Sequence, residues 1–280
     1  MLTIFSSPRP FKGEFDYIQR NAIQSWMASF PRCEIILLGD DEGTDKVALE
    51  FNLKHIPEVE KNEKGVLLRN SVFAKAKKAA KNEIICFVSA DIILTSDFLK
   101  ALKNKFDLPE FLISGRRWDL NIKKTIDFSS NWEGVLREQI IKEGKMHGFS
   151  AGDYFIFPKN IEIDMPPFSV KHGGWDNCFI FQFKKLKIPI IDATEVITTI
   201  HQNHGRPNFT KGKSVWKEEE GKRELKLAGG FKNMCTLREA DWLLGPKGLK
   251  KPPFPRNLFS KIALFYPWRL ALAFKRHLFS

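Results

Sequence analysis

EIICFVSADIIL, residues Glu83 to Leu94, is the stretch from which the rest of the chain can be read. Ile84, Ile85, Cys86, Phe87 and Val88 form an apolar run too short for a typical helix and too uniform for a strand wet on one face. Such a run suits a central parallel strand covered by helices on both sides. It stops at Ser89-Ala90-Asp91, so a carboxylate stands where the strand leaves the sheet. In open α/β sheets that carboxyl edge is where ligands bind, although an Asp after a strand is also an ordinary turn or cap residue.

Working back from this stretch, Leu67 to Ala80 is predicted as a helix with Leu68, Val72, Ala76 and Ala79 inward. Leu2–Ser6, Glu34–Leu38 and His55-Ile56 read as strands, separated by helices over Tyr17–Phe30 and Thr44–Phe51, with Thr44 as a cap. Strand and helix alternate, the signature of a doubly wound, mainly parallel sheet. Working forward, a helix capped by Thr95 or Ser96 runs to about Lys105, and Phe111–Ser114 is a strand. Trp132–Glu143 is an amphipathic helix, and Asp153–Phe157 a strand stopped by Pro158. Gly173-Gly174-Trp175-Asp176 opens a helix bearing Trp175, Phe179, Phe183 and Leu186. Strands over Ile188–Ile191 and Val196–Ile200 follow, the second leading into His201-Gln-Asn-His204. A helix over Lys217–Ala228 closes the main domain, 1–244, and 245–280 forms a basic, aromatic tail.

Composition narrows the partners. The chain of 280 residues carries a formal charge of +12, which suggests an anionic partner. Lys247, Lys250, Lys251, Arg256, Lys261, Arg269, Lys275 and Arg276 follow Asp241 with no acidic residue among them, so the main domain is only mildly basic. No nucleic-acid-reading motif appears, and no nucleic-acid partner is expected. Cys33, Cys86, Cys178 and Cys235 lie far apart in apolar surroundings, as in a reduced cytosolic protein. Neither a signal peptide nor a membrane-spanning run is expected, which points to a cytoplasmic protein. From about Pro252 onward the tail mixes Phe, Leu and Trp with Lys and Arg. It reads as a peripheral anchor on an anionic membrane, or else as a hairpin packed on the domain.

Gly65, then Arg69-Asn70, then Ser89-Ala90-Asp91, resembles the nucleotide-binding half of family 2 glycosyltransferases. Further on, Gly173-Gly174-Trp175-Asp176-Asn177 followed by His201 and His204 is similar to the second half of several enzymes of the GT-A type. The resemblance covers residues 1–205. It implies a Rossmann-like GT-A fold, a nucleoside-diphosphate sugar donor, a glycan or lipid-linked acceptor as in polysaccharide biosynthesis, and a divalent metal, Mn2+ or Mg2+. The motif departs from the family at Ser89, which stands where the first acid of a DxD motif would be.

Carried onto this chain, the resemblance gives Asp91 and His204, with His201, as metal ligands. Pro8, Asp40, Arg69, Asn70, Ser89 and Asp91 fall where such enzymes hold the nucleotide. Arg116, Arg117 and Trp118 follow a strand at the same sheet edge, where they could contact the donor sugar or phosphate. Asp176 would be the general base of an inverting transfer, with Asp153 the second candidate. Each has a plainer reading. The histidines could be loop residues, Asp40 a turn residue, Arg69 a surface partner of Glu63, and Asp176 a helix cap. Trp132 and Trp175 could stack on sugars but sit on apolar stripes. A Gly/Lys loop over Gly205–Ser214, bearing Arg206, Lys211 and Lys213, could close over the diphosphate. The competing reading is a catalytically degenerate module tethered by its tail. A nucleotidyltransferase fits less well, because Ser6–Lys12 lacks a Gly-rich phosphate loop.

Overall fold

The computed structural model describes residues 2–102, 108–150, 152–205, 218–254 and 256–258. Its frame is a nine-stranded sheet. In chain order the strands of the chain are β1 (Leu2–Ser6), β2 (Glu34–Leu38), β3 (Lys54–Ile56), β4 (Ile84–Val88), β5 (Ile92–Leu94), β6 (Leu112–Ser114) and β7 (Trp118–Leu120). They continue with β8 (Lys145–Met146), β9 (Tyr154–Pro158), β10 (Ile190–Asp192), β11 (Thr199–Gln202), β12 (Trp242–Gly245) and β13 (Gly248–Lys250). The large sheet runs β13-β12-β10-β6-β9-β4-β1-β2-β3, and β5-β11-β7-β8 form a second, smaller sheet.

The apolar run of β4 is central, as its uniform hydrophobicity requires. β1 pairs with it in parallel on one side and β9 antiparallel on the other. β9 also runs antiparallel to β6, so one reversed strand joins two parallel halves. Successive residues of β4 face opposite sides of the sheet. Phe87 and Ile85 pack with α3 (Arg69–Ala79) and α6 (Trp175–Lys185), while Cys86 and Val88 pack with α1 (Glu14–Ser29) and α4 (Asp97–Leu102). Both faces are therefore covered.

On the first face the core is aromatic. Phe179 of α6 lies between 4.9 and 5.5 Å, centroid to centroid, from Phe73, Phe155, Phe157 and Phe183. This packing fixes the helix that carries Asp176. Phe179→Ala should cost about 3–5 kcal/mol, the usual toll of deleting a buried ring, read from urea unfolding. A loss below about 1 kcal/mol would mean the site can collapse around the gap.

On the second face Trp26 is fully buried, and its Nε1 donates to the Ile92 carbonyl at 2.8 Å. Ser29 donates to the Leu94 carbonyl, and Ser25 accepts from the Leu94 amide. These bonds bind α1 to β5 and hold the small sheet against the large one. The chain thus leaves the large sheet after Val88 and resumes as β5 in a different sheet; Ser89-Ala90-Asp91 marks the break, but nothing in the apolar Ile92–Leu94 shows that the sheet changes.

Several expectations need correction. Thr44 begins its helix (Thr44–Glu50) and its hydroxyl accepts no capping bond; Gly43, at φ 85°, holds the cap position. Leu186 follows α6 and is exposed. The strand expected over Val196–Ile200 is β11, which starts at Thr199 and includes His201. The sheet continues through β12 and β13 to Lys250, so a boundary at 244/245 falls within a β-hairpin. Loop residues Arg206, Lys211 and Lys213 and the tail beyond Leu258 lie outside the described residues. Among the described residues no helix is long and apolar enough to cross a membrane. The cysteines are free, with Cys86, Cys178 and Cys235 buried.

Candidate active site

A small cleft of about 90 Å³ opens at the carboxyl ends of β1, β2 and β4, where Pro8, Asp41, Ser89 and Asp91 meet Arg69 of α3. Its position follows from topology: parallel strands deliver their C-terminal turns to one edge.

Asp91 is the anionic centre. His204 Nε2 stands 3.1 Å from its Oδ2 and His201 Nε2 3.5 Å, while its buried Oδ1 has no hydrogen-bond partner among the described residues. One ligand atom from each of Asp91, His201 and His204 fits within a 4.8 Å span. Burial disfavours the carboxylate, yet the two histidines outweigh it and hold Asp91 well below its ordinary range. Burial would likewise lower His201, but Asp119 and Asp91 raise it to about 9. Phe15 packs edge-on against His204 with centroids 4.9 Å apart and fixes that ring from the α1 side.

Asp119 is the residue that sequence reading missed. β7 and β11 run parallel with Asp119 opposite His201, and Asp119 Oδ1 stands 3.2 Å from His201 Nδ1. Its other oxygen meets His147 Nδ1 at 3.1 Å. Arg117 then links Asp119 to Asp153, donating at 2.9 and 2.6 Å respectively. Only the pairing of two short strands brings these groups together, and the sequence around Trp118-Asp119-Leu120 carries no motif. Arg117 is 8% exposed and doubly ion-paired, so it braces the site between Asp119 and Asp153.

Arg69 is 5% exposed and makes no pair with Glu63. It donates to the Val170 carbonyl at 3.1 Å and lies over the rings of Trp175 and Phe87 at 4.2 and 5.0 Å. Its Nε has no hydrogen-bond partner among the described residues. Burial lowers its pKa to about 9, with Asp176 and Glu224 partly opposing. This is a desolvated cation at the cleft wall with spare donor capacity.

Asp176 occupies the first turn of α6. Gly174, at φ 94°, is in the left-handed region that glycine tolerates, and its amide donates to Asp176 Oδ1 at 3.2 Å. Gly152 donates to Oδ2 at 3.0 Å. A Cβ on Gly152 would meet the Phe155 ring at 2.2 Å, so glycine is required there for the amide to reach the carboxylate. Burial pushes Asp176 up to about 6, the neighbouring Asp153 adds to the rise, and the backbone bonds restrain it.

Two expected nucleotide residues stand elsewhere. Asp40 is exposed and paired with Lys61 at 2.6 Å, while its neighbour Asp41 faces the cleft. Asn70 lines a separate groove with Phe73 and Lys77 and is absent from the cleft that Arg69 lines. Trp132 and Trp175 are buried among core residues rather than presented as sugar platforms.

No family model matches the chain, and no curated protein does. Solved structures do. A mannosyltransferase from Pyrobaculum calidifontis, PcManGT, in complex with GDP-Man and Mn2+, aligns at TM-score 0.51 and 16% identity, covering 97% of this chain and 72% of that one. Glucosyl-3-phosphoglycerate synthase from Mycobacterium tuberculosis, in complex with Mn2+, UDP and phosphoglyceric acid, aligns at 0.47 and 13%, covering 82% and 79%. S. aureus TarS 1-349 aligns at 0.43 and 13%, covering 73% of this chain and 58% of that one, so the chain spans less than two thirds of it. The fold is that of the GT-A glycosyltransferases, in the mixed, mainly parallel form described above.

Proposed function

We propose that the protein is a glycosyltransferase that moves a sugar from a nucleoside-diphosphate donor to an acceptor hydroxyl with inversion. The observation that carries this reading is the convergence, at one sheet edge, of the Asp91–His201–His204 cluster with the half-satisfied Arg69. The first suits a cation and the second an anion, which are the two needs of a departing diphosphate. The mannosyltransferase of the same fold is in complex with both kinds of ligand.

The donor set fits a divalent ion. Asp91 keeps a buried, unpartnered oxygen, and two imidazoles favour Mn2+ over Mg2+. Asp91, His201 and His204 would hold it, and once bound it neutralises charge on the leaving group. Asp119 orients His201 through the second ring nitrogen, as outer-shell carboxylates do. Arg69 contributes a guanidinium to the diphosphate. Asp176, with a pKa near 6, accepts the proton of the acceptor hydroxyl as its oxygen attacks the anomeric carbon. The new C–O bond forms as the bond to the phosphate oxygen breaks, and the nucleoside diphosphate carries away that electron pair. Asp153 is committed to Arg117 and serves positioning.

Two measurements test the reading. A thermal-shift screen of nucleoside diphosphates should show stabilisation that requires Mn2+, and nucleotide-sugar hydrolysis should be slow and Mn2+-dependent. A degenerate binding module would give the first without the second. Asp119→Asn should weaken Mn2+ affinity about 10–100-fold, the usual effect of losing an outer-shell partner. Unchanged affinity by calorimetry would leave Asp119 a purely structural link.

A further inference from the structure

Arg116, Arg238 and Arg256 converge on one aromatic ring. Their guanidinium carbons stand 4.6, 4.8 and 4.9 Å from the centroid of Phe149. The turn after β6, the 3-10 turn Leu237–Glu239 and the segment after β13 deliver them separately. Only Arg256 is ion-paired among the described residues, with Asp192, and it also donates to the Leu237 carbonyl at 2.6 Å. Asp192 is itself buried and its Oδ1 is occupied by Thr194. Arg116 Nε donates to the His147 carbonyl at 2.6 Å, and Arg238 is exposed with its charge supported by the ring alone. Three cations with one carboxylate leave two positive charges in excess. A ring face offsets only a small part of an exposed cation's charge.

The place of the cluster gives the excess a purpose. Phe149 precedes Gly152, whose amide holds the candidate base, in the same short segment. The carbonyl of Ser150, between them, accepts from Asn177, the residue after Asp176. On its other side Arg116 adjoins Arg117, which braces Asp153. The cluster therefore flanks the base on the side away from Arg69 and β1, where an acceptor would approach.

We propose that Arg116, Arg238 and Arg256 form an anion cradle for a phosphate carried by the acceptor. The choice of phosphate follows from chemistry: two uncompensated charges match a dianion, and guanidinium forks bind its oxygens in pairs. This inference rests on the transferase reading, because it takes Asp176 as the base. The phosphate can belong to a small metabolite or to a lipid head group, and the cradle chemistry is the same.

Calorimetric binding of glycerol 3-phosphate to the full chain, and co-sedimentation with phosphatidic acid vesicles in phosphatidylcholine, test it. Arg238→Gln and the double variant Arg116→Gln/Arg238→Gln should weaken the interaction about tenfold or more, as loss of a charge-assisted hydrogen bond implies. Asp91→Ala should leave it unchanged. Binding of the soluble probe assigns the phosphate to a small acceptor, and cradle-dependent binding of vesicles alone assigns it to a lipid; either supports the cradle. No binding of either probe, equal binding by both cradle variants, or loss only in Asp91→Ala would overturn it. Mn2+-dependent donor hydrolysis by the wild-type protein is measured alongside. Hydrolysis without phosphate binding defeats the cradle alone, whereas phosphate binding without hydrolysis defeats the acceptor role together with the transferase reading.

Discussion

Asp176→Asn should lower sugar transfer about 10²- to 10⁴-fold, the range expected when a general base is removed, while donor binding persists. The wild-type carboxyl has a pKa near 6 because burial and Asp153 outweigh two backbone hydrogen bonds. A base must be unprotonated to act, so transfer should rise with pH through about 6 and then level off. The variant should lack that limb. Stability should move the opposite way, since a raised carboxyl pKa means the folded protein holds its proton more tightly. That contribution is complete below the carboxyl's unfolded value and fades as pH rises through about 6. The amide places an N–H against one of the two glycine amides but also removes a buried charge, so the melting temperature at pH 7 should change little. Transfer near the wild-type rate would move the role to Asp153 or argue for retention.

Asp91→Ala should abolish Mn2+-dependent nucleotide binding, with an affinity loss of at least the 10–100-fold seen when outer-shell partners alone are removed. The carboxylate is the only oxygen ligand in the cluster, and the imidazoles facing it lose their shared partner. The sheet should be unaffected, because the Asp91 carbonyl, which accepts from the amide of Gln202, is kept. Titration of nucleoside diphosphate with and without Mn2+, followed calorimetrically, gives the comparison. Equal Mn2+ dependence in variant and wild type would refute the metal assignment.

Much of the fold was legible because its parallel strands are uniformly apolar and short. β1, β2 and α5 (Trp132–Glu143) begin and end where the hydrophobic pattern does. β4 to β5 was not, since Ile92, Ile93 and Leu94 are as apolar as β4 while pairing with β11 in another sheet. In the site, Asp91, His201 and His204 do gather, as motif order suggested. Asp119 and the triple-arginine cradle were invisible because their proximity comes from strand register and from chain segments far apart. Asp40 and Asp41 are adjacent, and only the turn's geometry decides which one faces the cleft.

Arg117 bonds Asp119, behind the candidate metal site, and Asp153, beside the candidate base. A lineage altering either end alone would strand a charge inside the protein, and uncompensated buried charge is costly. On the proposed reading, one side chain thereby yokes donor handling to acceptor activation. Divergence toward a new metal requirement should therefore proceed through paired substitutions, with position 117 among those that resist change longest.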